Sequence, residues 1–420
     1  MLLIIGSIIL LVTIYALVKQ YEPRMVLFLS GLVMCLAALS PLDAFKGFSS
    51  AIKGAVVMET ITASMAFAFV MEATKCDKHL VHLLAKGLQK LGPALIPGAV
   101  LATAFVHISI PSAAGCIASV GPVLIPILIG AGVHPPMAAS AVFAGTFGAT
   151  MLHPGFHQNV VISNAVKHTP IEVVGNHFTD VLIIGAVVAA LVTAVAFVLK
   201  EHKGYVNSTV AEEFEVNIIR AIVPLVPLTL ILLGSLNIVP ALKALQISYA
   251  MIIGVIVACV ITRTTPGDIS NAFFQGMGRG FSHIYGIIIC SAVFVAGLTS
   301  TGLLKAMIGF MSSHPAMAKI TGTMGPFLLA VLCGSGDAAS VAFNNAVTPH
   351  AASFGITPMN LGSSAAIAGC LGRTMSPIAG AAMVACGLAG VSNPMELAKR
   401  NALPMIAGVI VMAILLMFLR

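Results

Sequence analysis

The octapeptide AGTFGATM at Ala144–Met151 returns as AGCLGRTM at Ala368–Met375, about 224 positions later. Both copies are rich in glycine and threonine, inside a chain that is 59% hydrophobic and only 8% charged. Apolar runs long enough to cross a bilayer, such as Leu2–Leu17 and Leu182–Leu199, recur to the last residue. A mean hydropathy of +1.05 excludes a water-soluble globule. Small polar residues in such surroundings predict broken helices, and a duplicated broken helix predicts a binding site near mid-membrane.

The rest of the composition narrows the class. The net charge of +7 is spread over short loops, so it bears on topology rather than on nucleic acid. The eight cysteines stand singly, with no CxxC pair, which supports neither a zinc site nor a disulfide framework. Leu2–Leu17 is expected to be a first span, because no small-residue cleavage site follows it. The longest polar stretch, 201–216, is expected to be a linker.

The expected fold is an all-α integral membrane protein with an inverted-topology repeat, about ten transmembrane helices and two re-entrant hairpins. The first repeat, 1–200, is read as scaffold spans over 1–73 and an interfacial helix at 76–91. A hairpin at 93–131, a broken span at 135–168 and a span at 178–200 complete it. The second, 217–420, is read as scaffold spans over 217–300, the last of them at 282–300, and an interfacial helix at 302–316. A hairpin at 318–353, a broken span at 358–392 and a span at 400–420 follow. At offsets of 223 or 224, Ser112 falls on Ser335, Pro126 on Pro349, Pro154 on Pro377 and Glu172 on Glu396. Five crossings per half, an odd number, would turn the second copy upside down. Thirteen Lys and Arg residues then gather on one face and seven on the other, with Arg373 inside a span. This predicts a cytoplasmic linker and both termini outside.

Candidate chemistry sits at the interruptions. The hairpin tips are Ser112, Ala113, Ala114 and Gly115 in one half and Gly334, Ser335, Gly336 and Asp337 in the other. The helix breaks are His153, Pro154 and Gly155, and Ser376, Pro377 and Gly380. Half-helix N-termini offer amides to an anion, while freed carbonyls suit a cation such as Na⁺. Gly115, Pro154, Gly155, Gly334, Asp337, Pro377 and Gly380 are the candidates for such a coupling ion; no other metal or cofactor is expected. Packing of small residues between helices is the bland alternative. Arg373, with Thr374 beside it, would pair either with a substrate carboxylate or with Asp337. His153 and His157 would hydrogen-bond substrate, relay protons or cap the broken helix.

Asp337 also admits two other classes. Asp337 would serve a cation–proton antiporter as its ion carboxylate. Gly334–Asp337 also matches the GxGD of intramembrane aspartyl proteases, but no second membrane-embedded aspartate follows a tyrosine, so an enzyme is not expected.

The stretches GSGDAASVAF at Gly334–Phe343 and LGRTMSPIAGAAMVACGL at Leu371–Leu388, followed by Asn393–Arg400, resemble the DcuC family of anaerobic C4-dicarboxylate carriers, within the ion-transporter superfamily. The resemblance is close over the last hundred residues and collinear around Ser112–Gly115. It implies secondary transport of succinate, fumarate or malate in a bacterial inner membrane, by symport, antiport or exchange. The wider superfamily implies a homodimer and an elevator-type motion of a transport domain against a scaffold, often with Na⁺ at the tips. Carried over by position, it implicates Ser112, Ser335, Gly336, Arg373, Thr374, Ser376 and Pro377. The chain departs from the family at His153–His157, where small and hydroxyl residues are expected, and at Asp337, where asparagine is commoner. Both departures would bear on substrate and on coupling to H⁺.

Overall fold

A computed structural model describes residues 1–19, 21–88, 92–205, 214–235 and 237–419. Every regular element among them is helical. The first half runs α1 (Leu2–Val18), α2 (Pro23–Ala37), α3 (Pro41–Ile52), α4 (Ala55–Ala73), α5 (Cys76–Leu88), α6 (Leu95–Ser109), α7 (Ala113–Gly130), α8 (Pro135–Ala144), α9 (His157–Val166) and α10 (Pro170–Val198). The second runs α11 (Ile218–Ile222), α12 (Val226–Ser235), α13 (Ile247–Thr262), α14 (Pro266–Arg279), α15 (Gly286–Ser300), α16 (Leu303–Ser313), α17 (Pro315–Cys333), α18 (Gly336–Ala346), α19 (Pro358–Met375), α20 (Gly380–Ala389) and α21 (Met395–Ala413). Most of the expected linker, 206–213, lies outside the described residues.

Among the described residues, seven helices are long and apolar enough to cross a membrane, eight if the bent pair α3–α4 counts as one. This is fewer than the ten crossings expected, and two of the seven, α7 and α17, are arms of the expected re-entrant hairpins. The physical reason is length: α1, α2 and α13 have 17, 15 and 16 residues. At 1.5 Å per residue these reach about 22–26 Å, short of a hydrocarbon core of roughly 30 Å. Two further elements depart from the reading of the sequence. Amphipathic helices α3 and α14 fill stretches given no element there. The span at 282–300 is the second part of a 35-residue helix from Pro266, whose hydrogen bonding loosens to a π-turn at Gly280–Tyr285.

The helices pack as two groups. In one, α15 lies on α2 and α3 while α4 lies on α13 and α14, so each half supports the other's third span. In the other, α17, α18 and α19 pack mutually, α20 lies on α7 and α8, and α21 on α10 and α19. The groups touch where α4 meets α9 and α15 meets α18. On α1, Ile4, Ile8, Leu11 and Tyr15 form a stripe at helical spacing, each more than half exposed, as a lipid-facing surface requires.

The two octapeptide copies fold differently. AGCLGRTM lies wholly within α19, whereas in AGTFGATM helix α8 stops at Ala144. Gly148 then takes φ +139, a conformation open to glycine and strained for any residue with a Cβ. A short 3₁₀ turn at Ala149–Leu152 follows, and helix resumes only at His157. The first break therefore opens at Gly145, ahead of the expected His153-Pro154-Gly155, and is three times as long as the second (145–156 against 376–379). Side chains satisfy the carbonyls it frees. Asn159 donates to Met151 O and His153 O at 2.8 and 2.9 Å, and His177 bonds Met151 O at 2.9 Å.

Candidate functional site

Four helices begin at one place. The N-terminal residues of α7 (Ser112–Ala114), α9 (His157), α18 (Ser335–Asp337) and α20 (Gly380, Ala381) line a single cavity of about 460 Å³. The sequence places them there through proline and glycine, which stop one helix and let the next restart at an angle. Ser112 and Ser335 cap their own helices, accepting from the amides of Gly115 and Ala338 at 3.2 Å each. Among the described residues, helices α9 and α20 have no side-chain cap. Each N-terminus carries about +0.5 of a charge, but the last turns of α6 (His107), α17 (Cys333) and α19 (Arg373) line the same cavity with the opposite sign, so the helix ends largely offset one another.

Arg373 lines this cavity and is held by the first copy of the octapeptide. Its Nη2 donates at 2.5 Å to Thr146 O, the carbonyl freed where α8 stops, and Thr374 Oγ1 donates to the same oxygen at 3.2 Å. Arg373 makes no ion pair with Asp337 among the described residues. Instead His157 Nε2 lies 2.7 Å from Asp337 Oδ1, and Gln158 Nε2 donates to the same oxygen at 2.9 Å. The hairpin tip of the second half is thus latched to the broken helix of the first.

The cavity gathers Ser112, Ala113, Ala114, His157, Gly334, Ser335, Gly336, Asp337, Arg373 and Gly380 from the sequence candidates. Others stand apart. His153 and Gly155 line a separate crevice of about 10 Å³, where His153 Nδ1 accepts from the Gly155 amide at 2.9 Å. Thr374 and Ser376 are buried and bond to their own helix end, while Gly115, Pro154 and Pro377 do not line the cavity. Among the described residues no three His, Cys, Asp or Glu side chains cluster as a metal site.

The cavity also takes in residues beyond the hairpin tips and helix breaks. His107 on α6 and Thr150 in the 3₁₀ turn face the cavity, as do Arg24, Arg279 and His283 from the α1–α4 and α11–α15 group. Arg24 is oriented by Glu22 and by a 2.5 Å bond to Ser282 O. A charge tally counts such arginines only as topology markers. A second cavity, of about 530 Å³, is lined by Asp43, Lys46, Asn164, Thr299 and Asn345. Between the two lies an apolar plug of Val57, Ile61, Val160, Val161, Tyr285, Ile288, Ile289 and Val341. Val57, Tyr285 and Ile288 also line the second cavity, and Ile284 and Ile287, packed on the plug, line the first.

A sequence profile described as C4-dicarboxylate anaerobic carrier, DcuC, matches residues 49–420. The chain belongs to the DcuC family. An uncharacterized transporter of Haemophilus influenzae is 41% identical over 280 residues, 64% of this chain and all of the relative. The anaerobic C4-dicarboxylate transporter DcuC of Escherichia coli is 24% identical over 98% of this chain and 95% of its own. Two solved structures share the fold. YdaH of Alcanivorax borkumensis, described as having an unusual topology, superposes with a TM-score of 0.67 at 14% identity, covering 95% of this chain and 99% of its own. MtrF of Neisseria gonorrhoeae, tied to a class of antimetabolite efflux pumps, gives 0.63 at 16%, covering 93% and 85%. Members of the DcuC family are transporters and not enzymes, so the aspartyl-protease reading of Gly334–Asp337 falls, and Asp337 has His157 and Gln158 as its partners.

Proposed function

We propose that this chain carries C4-dicarboxylate dianions across a bacterial inner membrane by alternating access. The observation that carries the reading is the meeting of four helix N-termini and Arg373 at one cavity. Helix-start amides and the Arg373 guanidinium are the donors from which two carboxylates can accept. Arg373 and Asp337 offset each other, so the cavity is not overcharged when empty. Its volume of about 460 Å³ falls in the range of small-molecule sites.

In this reading α6–α10 and α17–α21 form the moving domain, and α1–α4 with α11–α15 form a scaffold, the two halves being inverted copies. The α4–α9 and α15–α18 contacts are the surface along which they shift. Two cavities separated by a plug support that division, one open to each side of the membrane. Arg24 and Arg279, on the face with more positive charge, mark the first as cytoplasmic, while Lys46 marks the second as external. The homodimer is carried forward on the family resemblance, and native mass spectrometry in detergent tests it.

Of the residues expected for Na⁺, Gly334, Asp337 and Gly380 line the cavity, whereas Gly155 lines a separate crevice and Gly115, Pro154 and Pro377 lie off it. Coupling is therefore assigned to proton movement or to exchange of one anion for another. Labelled succinate, fumarate and malate should enter proteoliposomes when a pH gradient or internal dicarboxylate is supplied, but not when a Na⁺ gradient alone is. Absence of any uptake or exchange sinks the substrate class; uptake driven by Na⁺ alone sinks the coupling.

A further inference from the structure

His107 has no role in the reading so far. It lies two residues from the end of α6, is 1% exposed, and lines the cavity. Among the described residues, neither its Nδ1 nor its Nε2 has a hydrogen-bond partner. Thr150, in the 3₁₀ turn packed on α6, brings an equally unpartnered Oγ1 to the same cavity. His157, engaged with Asp337 through Nε2, keeps a buried and unpartnered Nδ1. Buried polar atoms without partners are costly, and in a binding cavity they indicate what the ligand supplies.

An uncharged imidazole offers one N–H donor and one bare acceptor nitrogen. An ionised dicarboxylate brings acceptors only. It can satisfy Arg373, the helix amides, one His107 nitrogen and the Thr150 hydroxyl, but it leaves a bare nitrogen with nothing to accept. A hydroxyl or ammonium group on the carbon beside one carboxylate answers that nitrogen. We propose that the cavity selects C4-dicarboxylates carrying a hydrogen-bond donor at C2, and that His107, with Thr150 beside it, reads that donor. This rests on the dicarboxylate reading above and adds to it a substrate class and a specificity residue. A site built to hydrogen-bond a substituent discriminates strongly against the analogue that lacks it.

The test is calorimetric titration of the purified protein in detergent with L-malate, L-aspartate and succinate. Malate or aspartate should bind at least about ten-fold tighter than succinate. Preference for malate alone identifies the donor as a hydroxyl; preference for aspartate alone identifies an ammonium, with Asp337 as counter-charge. His107→Leu should bring the ratio toward one, and His107→Gln, which keeps a donor and an acceptor, should retain most of it. Thr150→Val, close in shape, gives a second reading should His107→Leu fail to fold, as judged by gel filtration. Succinate binding within about three-fold of both donor-bearing ligands in the wild type overturns the inference. So does a preference that survives both His107→Leu and Thr150→Val. Failure of all three ligands to bind overturns the dicarboxylate reading itself, whereas equal binding leaves that reading standing.

Discussion

Arg373 combines two tasks that substitution can separate. Its guanidinium fills the carbonyl that the first broken helix leaves open at Thr146, and it presents positive charge to the cavity. Arg373→Ala should raise the KM for dicarboxylate roughly 30-fold or more, the scale of removing one member of a hydrogen-bonded charge pair. Arg373→Lys keeps the charge but not the planar fork, and should recover less than half of that loss in free energy. Unchanged uptake by either variant removes Arg373 from the site. The His157–Asp337 pair is read by a double-mutant cycle. His157→Ala leaves a less compensated carboxylate facing an anion and should weaken binding. Adding Asp337→Asn should restore part of it; strictly additive losses would mean that the pair does not act as a unit. None of these partnerships could be read from the sequence. Thr146 contributes only a backbone oxygen, which has no signature. His107 was a single histidine on an apolar helix, and there a buried structural residue is the commoner outcome.

Among elements, the helix interruptions were legible because proline, glycine and serine break long apolar runs at Ile110–Gly115, Gly334–Asp337 and Ser376–Gly380. What stayed hidden was length and amphipathicity. Helices α3 and α14, of 12 and 14 residues, carry enough polar side chains to pass for loops in an apolar chain. The unequal breaks were hidden too, since near-identical octapeptides gave opposite conformations and tertiary contacts decided between them. Close backbone approach fixes α18 in particular: a Cβ at Gly336 would stand 2.6 Å from Gly369 O of α19. Gly336→Ala should therefore push the α18 N-terminus out of the site, costing about 1–3 kcal/mol of stability and most of the transport. A thermal midpoint and an uptake rate both equal to wild type would show that α18 can yield without consequence.

At the scale of the molecule, the two cavities make a prediction about sidedness. In a background with the part-exposed Cys259, Cys290 and Cys333 replaced by serine, a cysteine at Ile284 should react with an impermeant maleimide from the cytoplasmic side. One at Ala296, on the second cavity, should react from outside. Labelling of both from the same side would dismiss the two-sided arrangement, and with it the orientation inferred from the lysines and arginines.

The plug between those cavities also has an electrical meaning. On the proposed two-sided arrangement, water reaching both cavities would short-circuit most of the membrane thickness, and the transmembrane potential would fall mainly across the few side chains from Val57 to Val341. Any ion passing that layer feels nearly the whole field, about 2.3 kcal/mol per charge for each 100 mV. A bare dianion would meet twice that, or close to a thousand-fold bias at ~90 mV. Swapping one dianion for another cancels the work, and two protons moving with the substrate cancel it equally. The thin insulator thus makes net flux a matter of charge balance.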